Sequence, residues 1–344
     1  MHMADALISP AVGGALWAGA AGLIAHSSKK VKQDMDDRRI PLMGVLGAFI
    51  FAAQMINFTI PGTGSSGHLG GGMILAVLLG PAAAFLTLAS VLTVQALFFA
   101  DGGLLSLGCN IFNLGFFPCF VAYPLVYKPI VGSNPSQRRI AIGAVLSAVL
   151  GLQLGALGVV LETLFSSISD LPFTTFLLLM QPIHLAIGIV EGLVTAAVVA
   201  FVWNARPEIL EETGAPRPTR VSSLRRVLAA LIIAAAVTGG FLSWFASTQP
   251  DGLEWSISRS AGNGGVEPPK KNLYGWLTGL QKKTAFLPDY GFRESKKGEA
   301  SGDAWPAVDP GTSLSGLFGG AMTLITLVLM GVLLKRRKKR HVPH

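Results

Sequence analysis

The second residue of the chain is a histidine, and its position gives it a chemistry that an internal histidine lacks. At a free N-terminus, three nitrogens can close two fused chelate rings on one metal ion. They are the Met1 α-amine, the His2 amide nitrogen and Nδ1 of the His2 imidazole. Such a chelate needs a metal that displaces the amide proton and accepts a square plane, and Ni(II) and Cu(II) are the natural candidates. One equatorial corner stays open. There are six histidines to consider: His2, His26, His68, His184, His341 and His344. His26 ends an apolar stretch and reads as an interfacial residue, and His341 and His344 belong to a solvated tail. His68 starts an apolar stretch on the side expected for His2. The glycine-rich loop 61–67 before it is expected to be flexible enough to bring its imidazole to the open corner.

Other polar residues inside apolar stretches are few, and such groups usually face a bundle interior. Asn110 and Asn113 share one helix face, and with Ser66 they are candidates for hydrogen bonds to the ligating imidazoles. Hydrogen bonding between helices is the competing role. Gln95 and Glu162 also lie within apolar stretches. His184 and Glu191, seven residues apart, share a face that could carry protons or simply pair. Cys109 and Cys119 read as reduced packing residues. Gly62, Gly64 and Gly67 match G-x-G-x-x-G, but with no strand expected before them they read as a loop rather than a dinucleotide site. No G-x-x-x-x-G-K-[ST], H-E-x-x-H or G-x-S-x-G occurs. The sequence offers neither a P-loop nor a hydrolase constellation.

The elements that must position these groups are membrane spans. Of the 344 residues, 51% are hydrophobic and only 13% charged, and the mean hydropathy is +0.55. That excludes a soluble enzyme and a disordered chain. Two cysteines exclude a disulfide framework. The net charge of +8 is no nucleic-acid signal, because the six basic residues 335–340 follow an apolar stretch as a cytoplasmic stop signal. Nine apolar stretches stand out: 6–26, 42–58, 68–79, 82–100, 104–127, 140–165, 175–203, 227–245 and 313–334. With the N-terminus outside, the inner connections and tail hold 19 of the 27 Lys and Arg residues. The long outer segment 246–312 holds the other eight, beside eight acidic residues. Short outer loops then carry none, as the positive-inside rule asks.

The predicted fold is therefore an all-α polytopic membrane protein, a seven-span bundle over 1–205 and a two-span hairpin over 227–344. A cytoplasmic linker, 206–226, joins them. No basic n-region precedes the first span, so Met1-His2 is expected to be the mature, outward-facing N-terminus. A bulky second residue also disfavours removal of Met1. Ala11, Ala15 and Gly19 give the first span a small-residue face for a partner helix.

The start Met1-His2-Met3-Ala4-Asp5, followed by Gly67-His68-Leu69-Gly70-Gly71, resembles the substrate-capture subunit of energy-coupling-factor nickel/cobalt transporters, over 1–205. The outer segment Pro250-Asp251-Gly252-Leu253-Glu254-Trp255 resembles the accessory N component of the same systems, over 227–344. The resemblance implies capture of Ni(II), or alternatively Co(II) for cobalamin synthesis, by the N-terminal amine, the second amide, His2 and His68. It implies a transmembrane coupling subunit (EcfT type) and two cytoplasmic ATPases as separate partners, with no bound organic cofactor and no nucleic acid. It also implies a prokaryotic plasma-membrane location and a transport role rather than an enzymatic one. Asp251 and Glu254 would attract cations for loading. Two rival classes remain: a self-sufficient proton-coupled permease using His184 and Glu191, and a metal sensor. The short inner loops leave no output domain for a sensor.

Overall fold

The computed structural model describes residues 2–34, 39–205, 224–261, 266, 272–292 and 305–339. Helices dominate. In chain order they are α1 (Pro10–Gln33), α2 (Arg39–Gln54), α3 (Gly72–Leu79), α4 (Pro81–Phe99), α5 (Leu107–Val131), α6 (Gln137–Ser166), α7 (Phe173–Ala205), α8 (Leu224–Gly240), α9 (Gly252–Ala261), α10 (Asn272–Thr284) and α11 (Pro310–Lys339). Each of the nine apolar stretches overlaps one of these helices. Five of them (α4, α5, α6, α7 and α11 to Lys335) are long and apolar enough to cross a membrane, and α2 is a shorter apolar helix. The expected linker lies outside the described residues except for its last three, which begin α8.

The third stretch is the instructive case. With eight residues, α3 rises only about 12 Å, far short of the ~30 Å hydrocarbon thickness. All eight residues are buried instead. The chain then reverses at once into α4 through Gly80 and Pro81. Gly80 sits at φ 78°, ψ 161°, which a side chain would strain, and Pro81 is suited to the first helical turn. This short inserted helix is what carries the His68 backbone into the bundle.

Two departures from regular helix matter. Residues 95–99 and 112–127 wind as π-helix. The second stretch contains Pro118 and Pro124, which lack an N–H and cannot sit in ordinary helical pairing. The glycine-rich loop, expected to be flexible, is a β-hairpin. β1 (Phe58–Ile60) pairs antiparallel with β2 (Ser65–Gly67), Phe58 opposite Gly67. Gly62 and Gly64 adopt φ near +75° and make its turn.

α1 lies against α5 so closely that a Cβ on Gly108 would come 2.6 Å from the Trp17 backbone nitrogen. Its other side is open. Ala11, Ala15 and Gly19 are exposed, and Gly14, Gly19 and Gly22 have nothing within 4 Å. α8 and α11 cross where Gly239 meets Gly316 backbone to backbone, and α11 packs on α2 through Gly44 and Gly47. Cys109 and Cys119 are buried and unpaired.

Candidate metal centre

The chain enters the bundle through a buried arm. Met3, Leu7 and Ile8 are at most 1% exposed. The Met3 N–H donates to Asn110 Oδ1 at 2.8 Å, and its carbonyl accepts from Ser106 Oγ at 2.5 Å and from the Gly103 N–H at 2.9 Å. Asp5 Oδ1 accepts from the Ser106 N–H at 2.9 Å. These contacts fix the backbone immediately after His2, so its imidazole has little freedom of position. Met1 lies outside the described residues.

His68 follows β2 directly, and the two imidazoles meet face to face. Their ring centroids are 5.1 Å apart and their planes differ by 20°. In a plane whose corners are amine, amide and His2 Nδ1, the remaining corner is next to Nδ1. Two imidazoles at neighbouring corners must lie close to one another, and these stacked rings do. His68 Nδ1 is 3.1 Å from the Leu69 carbonyl, so Nε2 is the nitrogen that faces outward from its own loop. Side-chain exposure is 7% for His2 and 8% for His68. Burial pushes both imidazoles down to about 3, and the positive charge of the N-terminus adds to the effect on each. Both rings are therefore neutral at physiological pH, with lone pairs available to a metal.

A carboxylate stands beside each candidate donor. Asp101 Oδ1 is 3.4 Å from His2 Nδ1. Asp251 Oδ2 is 3.9 Å from His68 Nε2. Burial pushes the Asp101 carboxyl above the usual range. Tyr290 donates to its Oδ2 at 2.5 Å. Despite its burial, Asp251 is held below the usual range by the positive charge of the N-terminus and by the Glu254 N–H. These groups open on a cavity of about 660 Å³ that Glu254 also lines. Among the described residues, no three His, Cys, Asp or Glu side chains converge as a metal cluster. The chelate derived above needs only two side-chain donors, the rest being amine and amide.

The segment after α8 reaches this site directly. Pro250 accepts the Ser66 N–H at 2.8 Å, and Ser66 Oγ donates to Gln249 O at 2.8 Å. β2 thus gains Asp251 as a neighbour along its free edge. Asp251 also caps α9, its Oδ1 accepting from the Glu254 N–H at 2.7 Å. Tyr274 of α10 donates to Ile8 O at 2.9 Å, and Gln281 donates to Gly102 O at 2.7 Å.

The structure thus brings together His2, His68 and Asp251, with Glu254 on the same cavity. The hydrogen bonds of the other candidates lead elsewhere. Asn110 holds the Met3 backbone, Ser66 holds the 249–250 segment, and Asn113 donates to Glu162 Oε2 at 2.8 Å. Asp101, Gln54 and Tyr290 were not singled out by sequence. Asp101 had a signal, as an acidic residue just past an apolar stretch between Ala100 and Gly102.

The neutral imidazoles carry a pH signature. Unfolded histidine titrates near 6.5, and these titrate near 3. Between those values the unfolded chain binds more protons, so stability is full above about pH 6.5 and falls as pH drops toward 3. In metal-free protein, hydrogen exchange of the 2–8 arm and the 58–71 segment is expected to accelerate across that window. Exchange that stays flat from pH 7 to 4 would contradict their neutrality.

A helical membrane bundle with two imidazoles paired on a polar cavity has the architecture of a transport protein. The chain belongs to the family described as the cobalt uptake substrate-specific transmembrane region (CbiM), whose model matches residues 2–209. A PDGLE domain matches residues 225–336. A protein of Archaeoglobus fulgidus provisionally named a fused nickel transport protein, NikMN, is 31% identical over 334 residues, 96% of each chain. The fused nickel transport protein NikMN of Rhodobacter capsulatus is 31% identical over 84% of this chain and 88% of its own. The cobalt transport protein CbiM of Geobacter sulfurreducens is 28% identical over 62% of each. The crystal structure of a truncated transition-metal transporter superposes with a TM-score of 0.52 at 29% identity, over 59% of this chain and 99% of that one. The protein is a nickel/cobalt-transport subunit of a transition-metal transporter.

Proposed function

We infer that the protein captures Ni(II) at the outer membrane face as the substrate-specificity subunit of an ATP-driven importer of the energy-coupling-factor type. The Met1 amine, the His2 amide, His2 Nδ1 and His68 Nε2 are its donors, and the metal is cargo rather than a resident cofactor. The observation that carries this is the stacking of the His2 and His68 rings at 5.1 Å. A square plane of nitrogens favours Ni(II) over Co(II). Co(II) is the alternative cargo, given the family's description.

Residues 1–205 form the capture domain in this assignment, 206–226 the linker and 227–344 the accessory domain. With the short α3 counted as a pass buried among other helices, nine passes put the N-terminus outside and the basic tail in the cytoplasm of a prokaryotic cell. A transmembrane coupling subunit and two ATPases are separate chains. The uncovered small-residue face of α1 is where a partner helix would approach closely.

Titration of Ni(II) and Co(II) into protein with a native, untagged N-terminus tests the site. One tight Ni(II) with a yellow square-planar band is expected. Tight Co(II) with weaker Ni(II) would change the cargo, and the absence of either site would refute the capture assignment.

The accessory carboxylates have a kinetic role here. They draw a divalent cation toward the imidazoles before it is chelated. Asp251→Asn is expected to slow Ni(II) association by about tenfold or more, in the range of electrostatic steering, with a smaller change in dissociation. Stopped-flow mixing at two ionic strengths separates the two rates. An unchanged association rate would remove the loading role.

A further inference from the structure

Three buried polar side chains outside the chelate form a string that starts at the turn after His68. Gly70 is held from both sides. Its N–H donates to Glu191 Oε2 of α7 at 2.6 Å, and its carbonyl accepts from Gln54 Nε2 of α2 at 2.9 Å. Gln54 Oε1 accepts in turn from Gln95 Nε2 of α4 at 2.9 Å. Exposure is 1% for Glu191, 5% for Gln54 and 0% for Gln95. The string ends at Gln95 Oε1, which is buried without a partner among the described residues. His2 Nε2 is in the same condition, and Gln95 is among the side chains close enough to bear on the His2 imidazole.

Burying a carboxylate and two carboxamides costs free energy unless each bond is made. The Glu191 carboxylate is well used, since it also faces the N–H groups of Gly71 and Met73 where α3 begins. Those N–H groups have no partner within the helix itself. Gly71 holds φ +77° against Ile50, so the turn after His68 has one shape. At the other end, a His2 that ligates through Nδ1 carries its proton on Nε2. That N–H needs an acceptor, and Gln95 Oε1 is the unused one beside it. Outer partners of this kind orient ligating imidazoles.

We propose that Glu191, Gln54 and Gln95 are positioning residues, a single polar relay that holds the His68 turn and the His2 imidazole in one frame before metal arrives. This rests on His2 and His68 being the ligands. The relay sets affinity, and it sets preference too, because a loosened frame relaxes toward geometries that Co(II) accepts. It assigns Glu191 a role as hydrogen-bond acceptor rather than as a titrating proton carrier. Glu191→Gln keeps an oxygen for the Gly70 N–H, and Glu191→Leu does not.

The test uses the full chain with its native N-terminus, Ni(II) alone and Co(II) alone, and the visible spectrum. Gln95→Leu and Glu191→Leu are each expected to weaken Ni(II) binding by about 10–100-fold. Both should also shift the square-planar band and lower the Ni(II)/Co(II) affinity ratio. Glu191→Gln should stay close to wild type in all three. Leucine variants that keep affinity, band and ratio would overturn the relay. So would a Glu191→Gln variant as damaged as Glu191→Leu, the result a proton-coupled permease predicts for transport. Wild-type protein with no Ni(II) site would refute the ligand assignment before any variant is compared. Where a leucine variant fails to fold by gel filtration, Gln54→Met removes both middle links at similar volume and carries the same expectation.

Discussion

His2→Ala is expected to lower Ni(II) affinity by about 10³-fold, ~4 kcal/mol at 1.4 kcal/mol per decade, and to abolish the square-planar band. The size follows from what the substitution removes. Nδ1 closes the second of two fused rings, so its loss takes away a donor and the ring that holds the amide nitrogen deprotonated. The open corner then needs two independent ligands in place of one. A tag fused before Met1 should do as much harm by a different route, because it turns the amine into an amide. Calorimetric titration of three proteins, native, His2→Ala and N-terminally extended, makes the comparison. An extended protein that still binds one Ni(II) at native affinity would sink the mechanism, since the amine would then not be a donor. The arm itself should survive His2→Ala, because Met3 and not His2 makes the bonds to Asn110, Ser106 and Gly103.

The chelating capacity of the N-terminus is legible in the sequence because it depends on covalent position, and no fold is needed to see that an amine, an amide and an imidazole lie within two residues. The spans were legible for a similar reason. Long apolar runs such as 140–165 and 175–203 leave helix as the only way to satisfy their backbone in lipid, and α6 and α7 cover both. What sequence missed was set by contacts between distant residues. Three-residue strands such as 58–60 and 65–67 have too few positions to show a period. The hairpin is held partly by the Ser66 bond to Pro250, a partner 184 residues away. Gln54 ends an apolar helix, where a polar residue looks like an interfacial one. Only the approach of Gly70 and Gln95 makes it structural. Asn113 had two credible partners by helix face, and the π-winding of α5 puts its amide against Glu162.

The accessory half shows the same division. Asp251 and Glu254 were recognisable as acidic residues on an outer segment. That the segment pairs with the edge of β2 was not, and this pairing is what places Asp251 3.9 Å from His68 Nε2. Tyr290, from the same segment, fixes Asp101 on the other side of the ring pair. The two halves therefore share one polar site, with carboxylates contributed by each.

His68→Ala is expected to cost less than His2→Ala, about 10²-fold or ~3 kcal/mol, because the tridentate chelate survives intact. Water takes the vacated corner, and an oxygen donor there moves the visible band to longer wavelength without removing it. Preference should fall together with affinity. A fourth nitrogen strengthens the planar field that favours Ni(II), and water weakens it. The backbone consequences are small, since Gly70 and not His68 receives the bonds from Glu191 and Gln54. Free imidazole added to the variant offers a direct check. It fits the space left between the His2 ring and Asp251, and it should restore the band and part of the affinity. If His68→Ala kept the native spectrum and affinity, the fourth donor would have to be another group on the same cavity. Asp101, at 3.4 Å from His2 Nδ1, is the group placed to supply it.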